Sequence, residues 1–248
     1  MNDFFRFKQF IVRQGGAAMK VGVDSVLLGA WVDADKVSRV FDVGSGTGLL
    51  ALMMAQRYPD VVIDAIEIDE EAHQQAMENV ANSPWDNRIC LFCNDFFNFS
   101  KYCPFRYDLI ISNPPYFTAS LKPSDSRRNI ARHNDSLPIR RFVAESTKLL
   151  TPNGMLAVVL PPAEAFALFD EAGSNNLLVK RTLHVQTLPS KPVYRIFVEL
   201  SKSPSLSRET RRQQEFGERS QTLCIEKADR SDYTDEYKQL TRDFYLKF

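Results

Sequence analysis

Four consecutive residues near the middle of the chain could hold an amine for chemistry: Asn113, Pro114, Pro115 and Tyr116. Two prolines in a row stiffen a turn and leave backbone carbonyls without local donors. If the Asn113 side-chain oxygen and the Pro114 carbonyl each accept one N–H, the nitrogen lone pair is aimed at an electrophile. Tyr116 would stack on the ring that carries the amine. The quartet predicts group transfer to such an amine; the alternative is a plain proline-rich loop.

A glycine-rich turn lies between an apolar run at residues 40–43 and a helical pattern at residues 49–58. Glycine permits positive φ and close approach of a ligand, and a helix that starts there directs free amides over the turn. The spacing departs from the GxGxxG of dinucleotide sites, which disfavours a nicotinamide oxidoreductase. The candidate cofactor-binding residues here are Asp42, Gly44, Ser45, Gly46 and Gly48.

Acidic residues follow the next two predicted strands. Glu67 could accept two hydrogen bonds from a ribose diol, and Ile68 beside it is included in the candidate site. Asp95 could accept from the exocyclic amine of an adenine while Phe96 covers the ring, although Asp95 also suits a turn. With Asp42 orienting the turn or a ligand ammonium group, these residues predict binding of S-adenosylmethionine, and Asn113 is included in the cofactor-binding set as well as in the catalytic one.

Strand and helix patterns alternate from residue 39 onward, and these elements must position the candidate residues. Strands are predicted at 40–43, 61–66, 88–93, 107–112, 155–160, 177–186 and 193–200, with a further short strand possible at 221–226. Helices are predicted at 25–31, 49–58, 70–82, 137–150, 163–172 and 234–247. The alternation predicts an α/β, Rossmann-like fold: a mostly parallel seven-stranded sheet with helices on both faces and an antiparallel edge.

The N-terminal region predicts a hairpin, since apolar-containing runs at 7–13 and 17–21 flank a Gln-Gly-Gly turn. Asp24 and Asp69 are predicted helix N-caps. With 248 residues, 44% of them hydrophobic, we expect one methyl-transferring domain. Within it we expect an N-terminal hairpin and helix (1–32), a catalytic core (33–200), and a polar, basic loop with a C-terminal helix (201–248).

Composition argues against several other classes. No apolar run is long enough to span a membrane and no signal peptide is evident, so we expect a cytoplasmic protein with reduced cysteines. Cys90 and Cys93 form a CxxC in an apolar run without a second pair, so we expect no metal.

The net charge is zero, but an acidic stretch at 33–108 is flanked by basic segments. This distribution predicts a polyanion docked beside the cofactor, unless these are ordinary solvated faces. His133 could touch RNA but is equally suited to a plain surface and is not assigned. The candidate RNA-binding residues are Lys8, Arg13, Arg127, Arg128 and Arg132.

In order and type, these motifs resemble the class I S-adenosylmethionine-dependent methyltransferases of the amino-methylating NPPY type. The matching residues are Asp42-x-Gly44-x-Gly46-x-Gly48, Glu67, Asn94-Asp95 and Asn113-Pro114-Pro115-Tyr116. Residues 7–10, 18–31, 82–85 and 243–246 extend the resemblance to the bacterial tRNA adenine-N6 methyltransferases that act on adenine 37 of tRNA1(Val). The resemblance implies methyl transfer in the tRNA anticodon loop and places Lys20 and Asp24 near the amino-acid end of the cofactor. The segment 202–219 is longer than that family leads us to expect.

Two rival functions share some of these residues. An N5-glutamine protein methyltransferase of the release-factor type would use the same quartet, but we recognise no separate N-terminal helical domain of that kind. A non-catalytic S-adenosylmethionine-binding RNA-binding protein would not need the intact quartet. We expect a monomer or weak dimer.

Overall fold

A mixed sheet of eight strands carries the fold in the computed structural model, which describes residues 3–15, 20–114, 138–202 and 220–248. A two-stranded hairpin of β1 (Phe4–Arg6) and β2 (Ile11–Arg13) precedes it. The sheet strands are β3 (Arg39–Val43), β4 (Val62–Glu67), β5 (Ile89–Cys93), β6 (Tyr107–Ser112), β7 (Leu150–Leu160), β8 (Leu177–Gln186), β9 (Arg195–Lys202) and β10 (Ser220–Cys224). The described α-helices are α1 (Val23–Trp31), α2 (Leu49–Arg57), α3 (Glu70–Ala81), α4 (Phe96–Tyr102), α5 (Ile139–Leu149), α6 (Pro162–Ser174) and α7 (Asp235–Thr241).

The strand order is β10-β8-β9-β7-β6-β3-β4-β5. Neighbouring strands are parallel except for β9, which is antiparallel to both β7 and β8. The predicted Rossmann-like, mostly parallel sheet is therefore confirmed, including the antiparallel pairing of the last two predicted strands. The short strand considered at 221–226 is β10, which extends the sheet by pairing in parallel with β8.

Two hydrophobic cores lie on opposite faces of the sheet, as expected for parallel strands covered by helices on both sides. Along β3, Val40 packs with the residues of α1 and α2, whereas Phe41 and Val43 pack with those of α4 and α5. Because side chains alternate along a strand, Asp42 shares the face of Val40 and meets α2. No helix among the described residues is long and apolar enough to cross a membrane.

The hairpin is shifted relative to its prediction. Its strands pair Phe4 with Arg13 and Arg6 with Ile11, so the turn spans 7–10 rather than 14–16. The rings of Phe7 and Phe10 stack with centroids 4.7 Å apart and are buried, which explains why these aromatic residues form a turn. Residues 16–19 lie outside the described part of the chain.

Three helix predictions need correction or addition. Asp24 is not an N-cap, because α1 begins earlier, after Gly22. The C-terminal helix ends at Thr241 instead of 247, since the chain turns there and Tyr245 packs against the rings of Phe5 and Phe7. Helix α4 was not predicted, although its N-cap Asp95 is an ordinary start signal. The N-cap prediction for Asp69 is confirmed, since its side chain accepts a hydrogen bond from the Ala72 amide.

Candidate active site

The candidate site lies at the point where the order of strands in the sheet reverses, between β3 and β6. The chain runs from β3 outward to β4 and β5, then returns to place β6 on the other side of β3. Ligands bind outside the carboxyl ends of strands at such a switch point. The Ser112 hydroxyl at the end of β6 donates to the Val43 carbonyl at the end of β3, at 2.7 Å. This bond holds the start of the Asn113 corner beside the start of the glycine turn.

The glycine turn has the conformation that its sequence predicts. Gly44, Gly46 and Gly48 have φ values of +72°, +55° and +79°, which disfavour residues with a Cβ. No described atom lies within 4 Å of where a Cβ would stand on Gly44 or Gly46. Helix α2 begins directly after Gly48, so its first amides have no intrahelical acceptor. The turn therefore forms an open cradle at a helix N-terminus, which suits an anionic or polar ligand group.

Asp42 lies fully buried beneath this cradle. Its Oδ2 accepts a hydrogen bond from the Ala51 amide at 3.0 Å, while its Oδ1 has no partner among the described residues. The Ser45 hydroxyl is also buried, and it too has no hydrogen-bond partner among the described residues. Burial raises the pKa of Asp42 to about 7; the Ala51 amide opposes that shift and the charge of Glu67 adds to it. Buried polar atoms are normally satisfied, so these two atoms fit a ligand that supplies donors.

Glu67 connects the glycine turn to the end of β4. Its Oε2 accepts from the Gly46 amide at 2.7 Å, and its Oε1 accepts from the amides of Ile68 and Asp69 at 2.9 and 3.0 Å. Ile68 is 49% exposed beside it. An acid with acceptor capacity and an exposed apolar side chain thus stand together at the rim of the cradle, where the sequence predicts a ribose and a base.

The strand end after β5 differs partly from its prediction. Asp95 Oδ1 accepts from the Asn98 amide at 2.9 Å, so the residue caps α4, in line with the alternative of a turn residue; its adenine contact stays a prediction. The Phe96 ring is only 5% exposed and packs on Phe41 and Phe142. The role of ring cover for the Phe96 side chain is therefore corrected, because that ring is part of the core. The amide of Phe96 at the helix start has no intrahelical acceptor and is the part suited to a ligand.

Asn113 is half-buried at the end of β6, and Pro114 is buried. The Nδ2 of Asn113 donates to the Ser25 hydroxyl of α1 at 2.7 Å. Sequence reasoning missed Ser25, since no local pattern links it to a residue 88 positions away. Several predicted residues lie outside the described part of the chain: Pro115, Tyr116, Arg127, Arg128, Arg132 and His133.

Asp24, which neighbours Ser25, is bound from β9. Its Oδ2 accepts from Arg195 Nε at 2.7 Å and its Oδ1 from the Tyr194 hydroxyl at 3.1 Å. Burial, followed by the charge of Asp24, raises the pKa of Tyr194. The Asp24 charge is thus paired with Arg195, a partner that sequence reasoning missed. The contacts predicted for Asp24 and the exposed Lys20 with a cofactor stay predictions.

Two predicted RNA-binding residues have different surroundings. The Lys8 ammonium donates to the backbone oxygens of Arg242 and Phe248 at 2.5 and 2.6 Å. These bonds fasten the hairpin to the C-terminal segment, so we now expect a structural role for Lys8 in place of the phosphate contact. The Arg13 backbone is held by two hydrogen bonds with the Asn79 side chain, and Arg13 itself is exposed. Arg13 thus remains a candidate for RNA. The described residues contain no cluster of three or more metal-ligating side chains.

Known proteins resemble this chain over nearly its full length. The family model of the methyltransferase small domain matches residues 17–168. A protein of Parabacteroides distasonis is 43% identical over 99% of both chains, and one of Bacteroides fragilis strain YCH46 is 46% identical over 98% of both. A protein of Trichodesmium erythraeum is 42% identical over 98% of both. All three carry the name tRNA1(Val) (adenine(37)-N6)-methyltransferase.

Solved structures support the fold alone, because their identities are low. The predicted O-methyltransferase Atu636 of Agrobacterium tumefaciens superposes with a TM-score of 0.66 at 16% identity, covering 89% of this chain and 96% of that one. An O-methyltransferase from a Brevibacillus brevis multienzyme, in complex with S-adenosyl-L-homocysteine, gives 0.55 at 13% identity and covers 79% of each chain.

Proposed function

This chain belongs to the tRNA1(Val) (adenine(37)-N6)-methyltransferase family, and on that premise we propose how its residues perform the reaction. The protein is an S-adenosylmethionine-dependent tRNA adenine-N6 methyltransferase. The observation that carries the proposal is the bond between Ser112 and Val43, because it joins the Asn113 corner to the glycine turn at adjacent strand ends. A group held at one is within reach of a group held at the other.

The cradle residues fit S-adenosylmethionine, which supplies an activated methyl group on a sulfonium centre. Gly44 and Gly46 would let its amino-acid portion approach the backbone, and the unpartnered Asp42 Oδ1 would receive a donor. Glu67 would bind the ribose hydroxyls, with Ile68 against the adenine. The proposed cofactor-binding set also includes Lys20, Asp24, Ser45, Gly48, Asp95 and the backbone amide of Phe96.

The Asn113 corner would hold the target amine. The lone pair of an adenine N6 is delocalised into the ring, so the amine is a weak nucleophile. Acceptance of its two N–H groups by Asn113 Oδ1 and the Pro114 carbonyl draws the nitrogen toward tetrahedral geometry and stabilises the positive charge that develops there. The proton can leave after the methyl group has been transferred, so the site needs positioning more than a strong base.

The substrate we propose is the anticodon loop, entered at adenine 37. Loop bases are already partly unstacked, so turning one into a pocket costs little. Arg13 and the predicted basic residues after the corner would hold phosphates. We infer that the protein acts in the cytoplasm, because its proposed substrate is a tRNA. A monomer or weak dimer stays our prediction for its oligomeric state.

Transfer of labelled methyl from S-adenosylmethionine to unmodified tRNA1(Val), followed by nucleoside analysis, tests this proposal. We expect N6-methyladenosine at position 37 and no label in a tRNA that carries guanosine there. A glutamine-containing release-factor fragment in the same assay is the rival substrate. Label in the protein fragment, or in another nucleoside of the tRNA, would refute the proposed substrate.

A further inference from the structure

We infer that Ser25 is a positioning residue for Asn113, which holds the Asn113 carboxamide in place at the end of β6. The inference rests on the proposed function and deepens it. Its basis is the 2.7 Å hydrogen bond from Asn113 Nδ2 to the Ser25 hydroxyl, which joins the start of α1 to the end of β6. Ser25 lies outside both the glycine turn and the proline-containing corner, so neither motif assigns it a role.

The Asn113 carboxamide must present its oxygen at a defined point if it is to accept from an incoming amine. The side chain can rotate about two bonds, and a hydrogen bond from Nδ2 to a fixed hydroxyl restricts that rotation. The Ser25 hydroxyl provides this bond and so holds the carboxamide in its observed place.

Ser25 is itself held in place from both sides. Val26 and Leu27, which follow it, are fully buried in the core beneath α1. Asp24, which precedes it, is tied to the start of β9 by Arg195 and Tyr194 at 2.7 and 3.1 Å. Because α1 is anchored on the sheet and on β9 at this turn, the Ser25 oxygen stands at a fixed point relative to β6. A catalytic group requires such support, since small displacements of its atoms cost rate.

A serine within a helix commonly bonds to the carbonyl four residues earlier and serves the helix alone. The Ser25 hydroxyl instead accepts from a residue 88 positions away, at the end of a different element. A purely structural tie would affect the melting temperature when removed. A positioning role affects kcat while the cofactor dissociation constant and the melting temperature stay nearly constant.

The test compares Ser25→Ala, Ser25→Thr and the matched control Ser83→Ala, whose hydroxyl bonds to the Val80 carbonyl at the far end of α3. With saturating tRNA and S-adenosylmethionine, we expect Ser25→Ala to lower kcat about tenfold, the usual effect of one lost hydrogen bond. Ser25→Thr, which keeps the hydroxyl, should stay within about threefold of wild type, and Ser83→Ala should be unchanged. An unchanged kcat in Ser25→Ala overturns the inference, as does a loss that Ser25→Thr fails to restore.

Methylation by the wild-type protein separates the outcomes: its absence refutes the proposed function, whereas its presence with an inert Ser25 refutes this inference alone.

Discussion

At the scale of single residues, Asp42 combines complete burial with an oxygen that has no partner in the described chain. Its pKa is raised from 3.8 to about 7, mainly by burial. The folded state therefore holds this proton more tightly than the unfolded state does. Stability contributed by the group is lost as the pH rises through the window between these two values, and the loss is complete above it.

Asp42→Asn should abolish this pH dependence in the cofactor-free protein. Between pH 5.5 and pH 8 the variant should gain about 2 kcal/mol relative to wild type, or about 4–8 °C in melting temperature for a chain of this size. Melting curves of both proteins at several pH values measure the difference. Because only the difference is used, other titrating groups cancel. A difference that stays constant from pH 5.5 to pH 8 would show that Asp42 is ionised throughout.

Asn113→Ala removes the side-chain acceptor proposed for the target amine. Loss of one preorganised group aimed at developing charge costs about 10²–10³-fold in kcat. Since Asn113 lies at the β6 corner and not in the glycine cradle, the S-adenosylmethionine dissociation constant should change by less than about threefold. Rapid-quench methyl transfer and calorimetric titration measure the two quantities. Near-normal turnover would remove Asn113 from the chemistry.

At the scale of elements, the turn between β3 and α2 needs its glycines for both conformation and space. Gly46 has a φ of +55° and no described atom within 4 Å of the place that an added methyl group would take, so Gly46→Ala would strain the turn and narrow the cradle. The conformational cost is about 1–2 kcal/mol. We expect the S-adenosylmethionine dissociation constant to rise more than about tenfold, because the methyl group occupies the ligand's space.

Gly173→Ala is the matched control for that substitution. Gly173 lies in α6, and the space at its Cβ position is equally open. Unlike Gly46, Gly173 does not have a positive φ. Alanine there should leave the dissociation constant unchanged and raise stability by up to about 1 kcal/mol. Equal effects of the two alanines on cofactor binding would contradict the cradle.

Local sequence patterns predict the helices and strands well where the hydrophobic periodicity extends over a long segment. The sheet strands and the helices after β3 and β4 carry clear alternation, and they are found near their predicted positions, except that β7 begins at Leu150 and not at 155. The hairpin was placed wrongly because two glycines suggested a turn, whereas burial of Phe7 and Phe10 decides it. The end of α7 was missed for a similar reason, since Tyr245 leaves the helix to pack on the hairpin. The position of the hairpin turn and the end of α7 depend on contacts between the two ends of the chain. The spacing of residues in the sequence does not reveal such contacts.

At the scale of the whole molecule, the strand order assembles the site. The Asn113 and glycine motifs were recognisable from sequence, and the parallel pairing of β3 with β6 brings them together. The partners Ser25, Tyr194 and Arg195 were not recognisable, because they reach the site through helix packing and an antiparallel strand. The division into one domain with three regions stays a prediction, supported by the continuous eight-stranded sheet that joins the core to β10.

Two basic residues of the hairpin, Lys8 and Arg13, should behave differently toward RNA. Affinity for tRNA should fall steeply with salt, and each phosphate contact contributes about 0.7–0.9 to the slope of log K against log salt. Arg13→Ala should reduce the magnitude of that slope by about 0.7–0.9, the contribution of one phosphate contact. Lys8→Ala should leave it unchanged and lower the melting temperature, because its ammonium bonds to the C-terminal backbone. Filter binding at several salt concentrations measures the slope for each variant. A reduced slope in Lys8→Ala with an unchanged slope in Arg13→Ala would contradict these assignments.

A crystal structure of the protein with S-adenosylhomocysteine tests the central claim most directly. The account predicts the ribose at Glu67, the amino-acid portion over Gly44 and Gly46, and the sulfur directed at the Asn113 side chain across an open pocket. A cofactor seated elsewhere, or a sulfur directed away from Asn113, would contradict it.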